Sequence, residues 1–427
     1  MIQTIRKAWG VPELRKKIVF TLLILLIFRI GNAIPVPYIN TTLLGNYLDS
    51  MSGTVLGLYN VMSGGAFAEA TVFALGVQPY INSSIIIQLL TIAIPALERL
   101  ARDGGEAGKK KIASITRYAT VAIALLQGFG YYMICKNYNI LEQQGIWPAL
   151  VIIVSFVAGS SFVMWLGEQV NEFGVGNGIS IILFAGILSR VPNMVTMGAS
   201  YIRTKGSIGC LWIALLIVGM LAMVVLIVHV NEAERRIPVQ YAKRQVGRKM
   251  YGGMNTHLPI KLNMTGVMPI IFAQAIVSIP ATLALIFTSW QSGINTWFSA
   301  ASKWPFYAIV YFLMIIAFAY FYNSISFNPV EVANNIRKNG GTILGYRPGK
   351  PTADYIKKVL NRITLIGALF LGFIAVFPIV LSMTGNAVFQ AFAFGGSSLL
   401  IVVGVALETT RDLESQITMR HYKGFLE

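Results

Sequence analysis

The sequence predicts an all-α polytopic membrane protein, ten transmembrane helices in two inverted five-helix halves. Three observations carry this expectation. Of 427 residues, 55% are hydrophobic and 12% charged, with a mean hydropathy of +0.66; a soluble chain carries about twice that charge. Ten segments approach the roughly 20 apolar residues that a helix needs to cross the hydrocarbon core. Finally, Gly76-Val77-Gln78-Pro79-Tyr80-Ile81 is echoed 190 residues later by Gly266-Val267-Met268-Pro269-Ile270-Ile271, and each copy opens the second span of a five-span half. An odd number of spans per half inverts the second copy, which places a transport pathway at the interface between repeats.

Taken in order, span one covers 18–34 and reads as a retained helix, because no small-residue cleavage site follows it. The outer segment 35–71 is long for a connection. Within it, 58–70 (LYNVMSGGAFAEA) is too short and Gly-rich to span. A surface loop and a short re-entrant helix both fit it, the latter being allowed where protein buries the backbone. Spans two, three and four cover 72–97, 115–135 and 149–167. Span five, 178–191, is short and open to continuation through Pro192. Span six covers 208–228. The loop 231–263 then alternates as Ile237-Pro238-Val239-Gln240-Tyr241 ahead of a basic run from Lys243 to Lys249, which predicts a hairpin with a basic tip. Spans seven and eight cover 267–288 and 304–326. The loop 327–362 holds Gly340-Gly341 and Gly345-Tyr346-Arg347-Pro348-Gly349-Lys350-Pro351, a stiff, turn-rich basic stretch. Spans nine and ten cover 363–383 and 392–407. The halves divide into 1–200 and 201–427.

Orientation follows from the cations. Before span one, in the loops after even-numbered spans and in the tail lie 28 of the 34 Lys and Arg. By the positive-inside rule these loops and both termini face the cytoplasm. The net charge of +17 is therefore concentrated on one face, suited to anionic lipid, acidic protein or nucleic acid. Topology and lipid contact explain most such charge. The two long loops exceed that need, and ordered loops of their length usually dock something.

Enzymatic chemistry has no visible support. There is no P-loop, nucleophile elbow or HExxH, and His229, His257 and His421 lie at no metal-ligand spacing, so neither metal nor cofactor is expected. Cys135 and Cys210 both fall at outer ends of spans, where a bridge is conceivable but inert packing is commoner. Arg29, Glu69, His229 and Glu408 lie near span ends and the span centres carry no formal charge, which disfavours ion coupling through a buried carboxylate. On span two Ile81 and Ile85 share a face, beside a stripe of Ser84, Gln88 and Thr91. On span seven Ile271 is flanked by Gln274 and Ser278. Interhelical hydrogen bonding explains these polar residues taken alone. The alternative is a weakly polar seam beside an aliphatic constriction that blocks ions by dewetting. A small-solute secondary transporter also uses inverted repeats, but no discrete midplane site is visible.

A family resemblance rests on seven collinear motifs. These are Phe73-Ala74-Leu75-Gly76 through Ser83-Ser84-Ile85-Ile86-Ile87-Gln88-Leu89-Leu90; Gly108-Lys109-Lys110-Lys111 with Thr116-Arg117-Tyr118; Gly174-Val175-Gly176-Asn177-Gly178-Ile179-Ser180-Ile181; Arg235-Arg236-Ile237-Pro238-Val239-Gln240-Tyr241-Ala242; Phe327-Asn328-Pro329; Gly345-Tyr346-Arg347-Pro348-Gly349; and Phe394-Gly395-Gly396-Ser397-Ser398-Leu399-Leu400-Ile401. Together, over essentially the whole chain, they resemble the bacterial SecY family of protein-conducting channels. The resemblance implies a channel that passes unfolded secretory polypeptides and releases apolar helices sideways into lipid, with no cofactor. It implies a pore ring of Ile81, Ile85, Leu183, Ile187, Ile271 and Ile401, with Leu183 where relatives often have Ile. It implies a re-entrant plug helix at about 60–70 (Asn60, Val61, Met62, Ser63, Gly64, Gly65, Ala66, Phe67) and a hinge near 198–206. A lateral gate between spans two and three and spans seven and eight would be lined by Ser84, Gln88, Gln127 and Gln274. Arg244, Arg248 and Arg347 would meet the ribosome or the motor ATPase SecA. The implied partners are SecE, SecG, SecA, the ribosome through its RNA, precursor polypeptides with their signal sequences, and anionic lipid. The implied location is the bacterial inner membrane.

Overall fold

The computed structural model describes residues 2–50, 60, 63–102, 104–241, 244–246, 249–251, 255–264, 266–277, 280, 297, 305–382 and 387–423. The chain opens with α1 (Ile2–Trp9), α2 (Pro12–Gly31) and α3 (Thr41–Ser50). It continues with α4 (Gln78–Ala93), α5 (Pro95–Arg102), α6 (Gly105–Asn137), α7 (Ile146–Phe173), α8 (Gly178–Leu188) and α9 (Val191–Glu232). After four strands come α10 (Met268–Val277), α11 (Phe306–Ser326), α12 (Pro329–Lys338), a fifth strand, α13 (Lys350–Ser382) and α14 (Ala387–Lys423). Each of the ten predicted segments contains described helix. Among the described residues six helices are long and apolar enough to cross a membrane, seven when α4 and α5 count as one bent span. Neither α2, with Arg15, Lys16, Lys17 and Arg29 toward its ends, nor α10, described for ten residues, enters that count.

Local chemistry sets the helix ends. Pro stands in the first turn of α2, α4, α9 and α12, where its missing N–H costs nothing. Asn177 caps α8 by accepting from the Ile179 and Ser180 N–H groups, and Asn328 caps α12 through Val330 and Glu331. These caps satisfy donors that a helix start leaves orphaned.

Span two is shorter as a straight helix than its expected bounds. Residues 72–77 are turns, and the helix breaks at Ile94, because the ring of Pro95 excludes its predecessor from helical geometry; α5 leaves at 105°. Span five does run on through Pro192, after a turn at 189–190. Within α9, Gly206 adopts φ 61°, ψ −137°. A Cβ on Gly198 would lie 3.5 Å from Ile213 Cδ1, although 15 residues of straight helix would separate them by about 22 Å. The arms of α9 therefore fold back on each other at Gly206.

The core is divided. One apolar cluster joins α2, α4, α7, α8, α10 and α14, and another joins α9, α10, α11, α13 and α14. Helix α4 packs on α6, α6 on α7, α10 on α11, and α13 on both α11 and α14. The two long basic loops, read from sequence as separate, share one sheet. Strand β1 (Glu234–Tyr241) pairs antiparallel with β4 (Asn255–Lys261) on one side and with β5 (Gly341–Ile343) on the other. Short strands β2 (Arg244–Val246) and β3 (Lys249–Tyr251) extend the hairpin toward its tip. Ile237, Val239, Ile260 and Ile343 from this sheet bury against Ala333 and Ile336 of α12 and Ile356 and Leu360 of α13.

Candidate functional site

The echoed motifs fold alike. Gly76 and Gly266 both take positive φ, 52° and 62°, a conformation cheap only for glycine. In both copies the chain then turns directly into a helix with Pro at its second residue. Val77 carbonyl accepts from Ile81 N–H at 3.0 Å, and Val267 carbonyl from Ile271 N–H at 3.3 Å. The repeat thus sets Ile81 and Ile271 in the same first-turn position of α4 and α10.

These two side chains share one apolar cluster with four more. Ile81, Ile85, Leu183, Ile187 and Ile401 are buried members of it, and Ile271 packs partly buried against that cluster. They come from α4, α8, α10 and α14. Leu183, Ile271 and Ile401 also line a cavity of about 840 Å³ whose remaining wall is largely polar. That wall includes Asn171 and Asn177 near the α7–α8 turn, and Glu408, Arg411 and Asp412 on α14. Lys261 and Asn263, at and just beyond the end of β4, put the mouth on the face of the basic loops. Leu183, Ile271 and Ile401 thus bring the aliphatic cluster to the wall of this cavity.

Sequence reasoning noted Glu408 only as a charge near a span end and missed its companions. The signal was present, since Glu408, Arg411, Asp412 and Ser415 recur at helical spacing on one face. Hydrogen bonds order the wall: Asp412 Oδ2 accepts from Gly176 N–H and Gln416 Nε2, both at 3.1 Å, and Arg411 donates to the Asn231 carbonyl at 3.1 Å.

Of the expected plug, Val61 and Met62 lie outside the described residues. Asn60, Ser63, Ala66 and Phe67 are buried, and residues 63–70 are successive turns. The segment is thus packed inside the bundle and is not a loose surface loop. A Cβ on Gly64 would lie 2.8 Å from the oxygen of Gly186, which precedes Ile187 of the expected pore ring.

Ser84 and Gln88 on α4, Gln127 on α6 and Gln274 on α10 are all half-buried. Among the described residues none of these side chains makes a hydrogen bond. Phe272 of α10 stacks on Phe318 of α11 beside them. Of the three cations expected to dock partners, Arg248 lies outside the described residues. Arg244 begins β2 opposite Tyr251. Arg347 is exposed in a turn bounded by Gly345 and Gly349, both at positive φ. Its carbonyl accepts from Thr352 Oγ1 at 2.8 Å, and Tyr346 stacks on Tyr355. Cys135 is buried and Cys210 exposed, both as free thiols.

These features define a multi-pass helical membrane protein with an aliphatic cluster that reaches the wall of a large, partly polar cavity. The SecY family model matches residues 71–410, and the chain belongs to the SecY family. It is 44% identical over 444 residues, covering all of both chains, to the protein translocase subunit SecY of Streptomyces coelicolor. It also shares its fold with two solved structures. One, described as the structure of a protein conducting channel, has a TM-score of 0.64 and 18% identity, over 94% of this chain and 92% of that one. The other, canine Sec61 in a ribosome-channel complex from the endoplasmic reticulum, has a TM-score of 0.59 and 17% identity over the same shares.

Proposed function

We propose that this chain is the channel-forming subunit of a protein translocase in the bacterial inner membrane, with both termini cytoplasmic. It passes unfolded polypeptides through the constriction and releases apolar helices into lipid between α4/α6 and α10/α11. The observation that supports this reading is one apolar cluster that takes in all six aliphatic side chains, from both proposed halves, and reaches a partly polar cavity through Leu183, Ile271 and Ile401. Aliphatic side chains grip by dispersion, which is indifferent to the identity of the passing residue. A closed ring of them resists ions by dewetting. The half-buried, weakly polar residues of α4, α6 and α10 make a seam whose separation breaks few hydrogen bonds.

The basic module formed by the loops 231–263 and 327–362 supplies a docking platform for the ribosome or SecA, and its cations also suit anionic lipid. SecE and SecG are the expected small subunits. Ribosome attachment through RNA phosphates weakens as salt rises, because each neutralised phosphate releases counterions.

A crosslink tests the path. In a chain with Cys135 and Cys210 replaced, Ile271→Cys is reconstituted with SecE, SecG and SecA. A secretory precursor carrying one cysteine is then stalled in mid-transfer. The expected result is a disulfide that requires both ATP and a functional signal sequence. Export without the crosslink removes Ile271 from the path.

A further inference from the structure

Residues 60 and 63–70 are stapled into one body. Asn60 carbonyl accepts from Gly65 N–H at 2.8 Å and from Ser63 Oγ at 3.2 Å, while Asn60 Oδ1 accepts from Ala68 N–H at 3.0 Å. Ser63 Oγ accepts from Phe67 N–H at 3.1 Å. Gly64 and Gly65 make the reversals at φ 73° and 96°. Such a unit leaves its seat whole, so the contacts that hold it from outside decide how often it leaves.

At its C-terminal end the segment is tied by the main chain, Ala70 carbonyl accepting from Val36 N–H at 2.9 Å and Ala66 carbonyl from Thr71 N–H at 3.0 Å. Among the described residues three side chains from three helical regions also hold it, each donating to a main-chain carbonyl. Tyr131 on α6 donates to Phe67 at 2.8 Å. Ser189, after α8, donates to Gly64 at 3.3 Å, but its single proton is shared with the Gly186 carbonyl at 2.7 Å. Asn32, after α2, donates to Ser63 at 3.4 Å, while its Oδ1 is buried without a partner among the described residues. That orphaned oxygen offsets what the amide donor contributes, since a buried unpaired acceptor carries a desolvation cost. Among these side chains the lengths and the sharing make Tyr131 dominant. Its ring also meets Phe67 edge-on, centroids 4.7 Å apart, and is braced from behind by Phe156 at 4.6 Å.

We infer that Tyr131 is the positioning residue that latches this segment in the closed channel, with Ser189 and Asn32 as lesser contacts. The latch reads backbone carbonyls, so apart from Phe67 it is insensitive to the segment's side chains. It has one strict steric demand. A Cβ at residue 64 would lie 2.6 Å from Ser189 Oγ, and φ 73° there is strained for any other residue. Once the segment has left, the vacated space admits water to the Tyr131 hydroxyl, so the latch opposes departure without opposing the open state. The inference rests on the proposed reading of the chain as a channel closed by this segment.

The test is electrical, on the full chain reconstituted with its small subunits in planar bilayers, comparing idle channels with channels engaged by precursor. Tyr131→Phe keeps the ring and removes the donor. The expected result is an idle open probability raised about five- to tenfold, the effect of one neutral hydrogen bond, with unit conductance unchanged. Gly64→Ala, with Tyr131 intact, raises idle opening further. An idle open probability at the wild-type level in Tyr131→Phe overturns the latch. So does a changed unit conductance, which would mean that the ring or the bundle itself had been disturbed. If wild-type complexes conduct in neither state, the channel reading fails, and the latch with it.

Discussion

At the scale of single residues, Ile271 illustrates why the constriction is aliphatic. It packs partly buried against the cluster that holds Ile81, Ile85, Leu183, Ile187 and Ile401, and on that side a polar side chain would find few partners. Burying an unpartnered amide costs about 1–3 kcal/mol. An open channel hydrates the same group, so the penalty falls on the closed state alone. Ile271→Asn is therefore expected to raise export of precursors with defective signal sequences about tenfold, while Ile271→Val stays near wild type. A secretion assay with signal-sequence variants checks this, and unchanged signal dependence would count against it. The place of Ile271 was legible because the repeat places it opposite Ile81, two residues past the Pro that both copies share. Leu183, Ile187 and Ile401 carry no such local mark. Apolar residues in apolar helices look alike, and only the family resemblance singled these three out.

Elements show the same division between local and distant signals. The β1–β4 hairpin was legible because Ile237 and Val239 alternate with exposed neighbours, the period of a half-buried strand. Strand β5 was not, since three residues carry no period and their partner lies about 100 residues away. Its fit depends on Gly341, where a Cβ would lie 2.9 Å from the Tyr241 ring. The early end of α4 was signalled by Pro95, yet the apolar run continues past it and masked the break. The module that these strands form with α12 and α13 holds the turn bearing Arg347. Ile356 lies fully buried at its centre, and Ile356→Ala should cost the module about 2–5 kcal/mol. The expected outcome is faster proteolysis within 231–263 and 327–362 and motor-driven export reduced as far as in Arg347→Glu, with membrane assembly intact in both. Protease resistance and export at wild-type levels in Ile356→Ala would show that the module does not support Arg347.

For the whole molecule, the issue is where the proposed halves stay joined while α4/α6 and α10/α11 part. Two junctions are visible. On the face of the basic loops, Asp412 of α14 holds the Gly176 N–H, and Thr4 of α1 donates to Glu414 at 2.8 Å. Elsewhere the connection between the halves runs through the reversal at Gly206, within the stretch 198–206 that the resemblance marks as a hinge. The backbone there, φ 61° and ψ −137°, lies outside what an L-residue adopts without strain, yet a Cβ would meet nothing within 4 Å. Any effect of Gly206→Ala therefore comes from backbone conformation and not from collision, at a cost of order 1–3 kcal/mol. If the halves swing about this residue, the substitution narrows the conformations available to the swing. Single-turnover translocation should then slow about five- to tenfold, with normal assembly and an unchanged idle open probability. Gly198→Ala is the control: its conformation is helical and the new methyl sits at ordinary contact distance from Ile213, so it should translocate at the wild-type rate. Equal rates in both variants would move the pivot away from Gly206, leaving the α14 junction as the place where the halves turn.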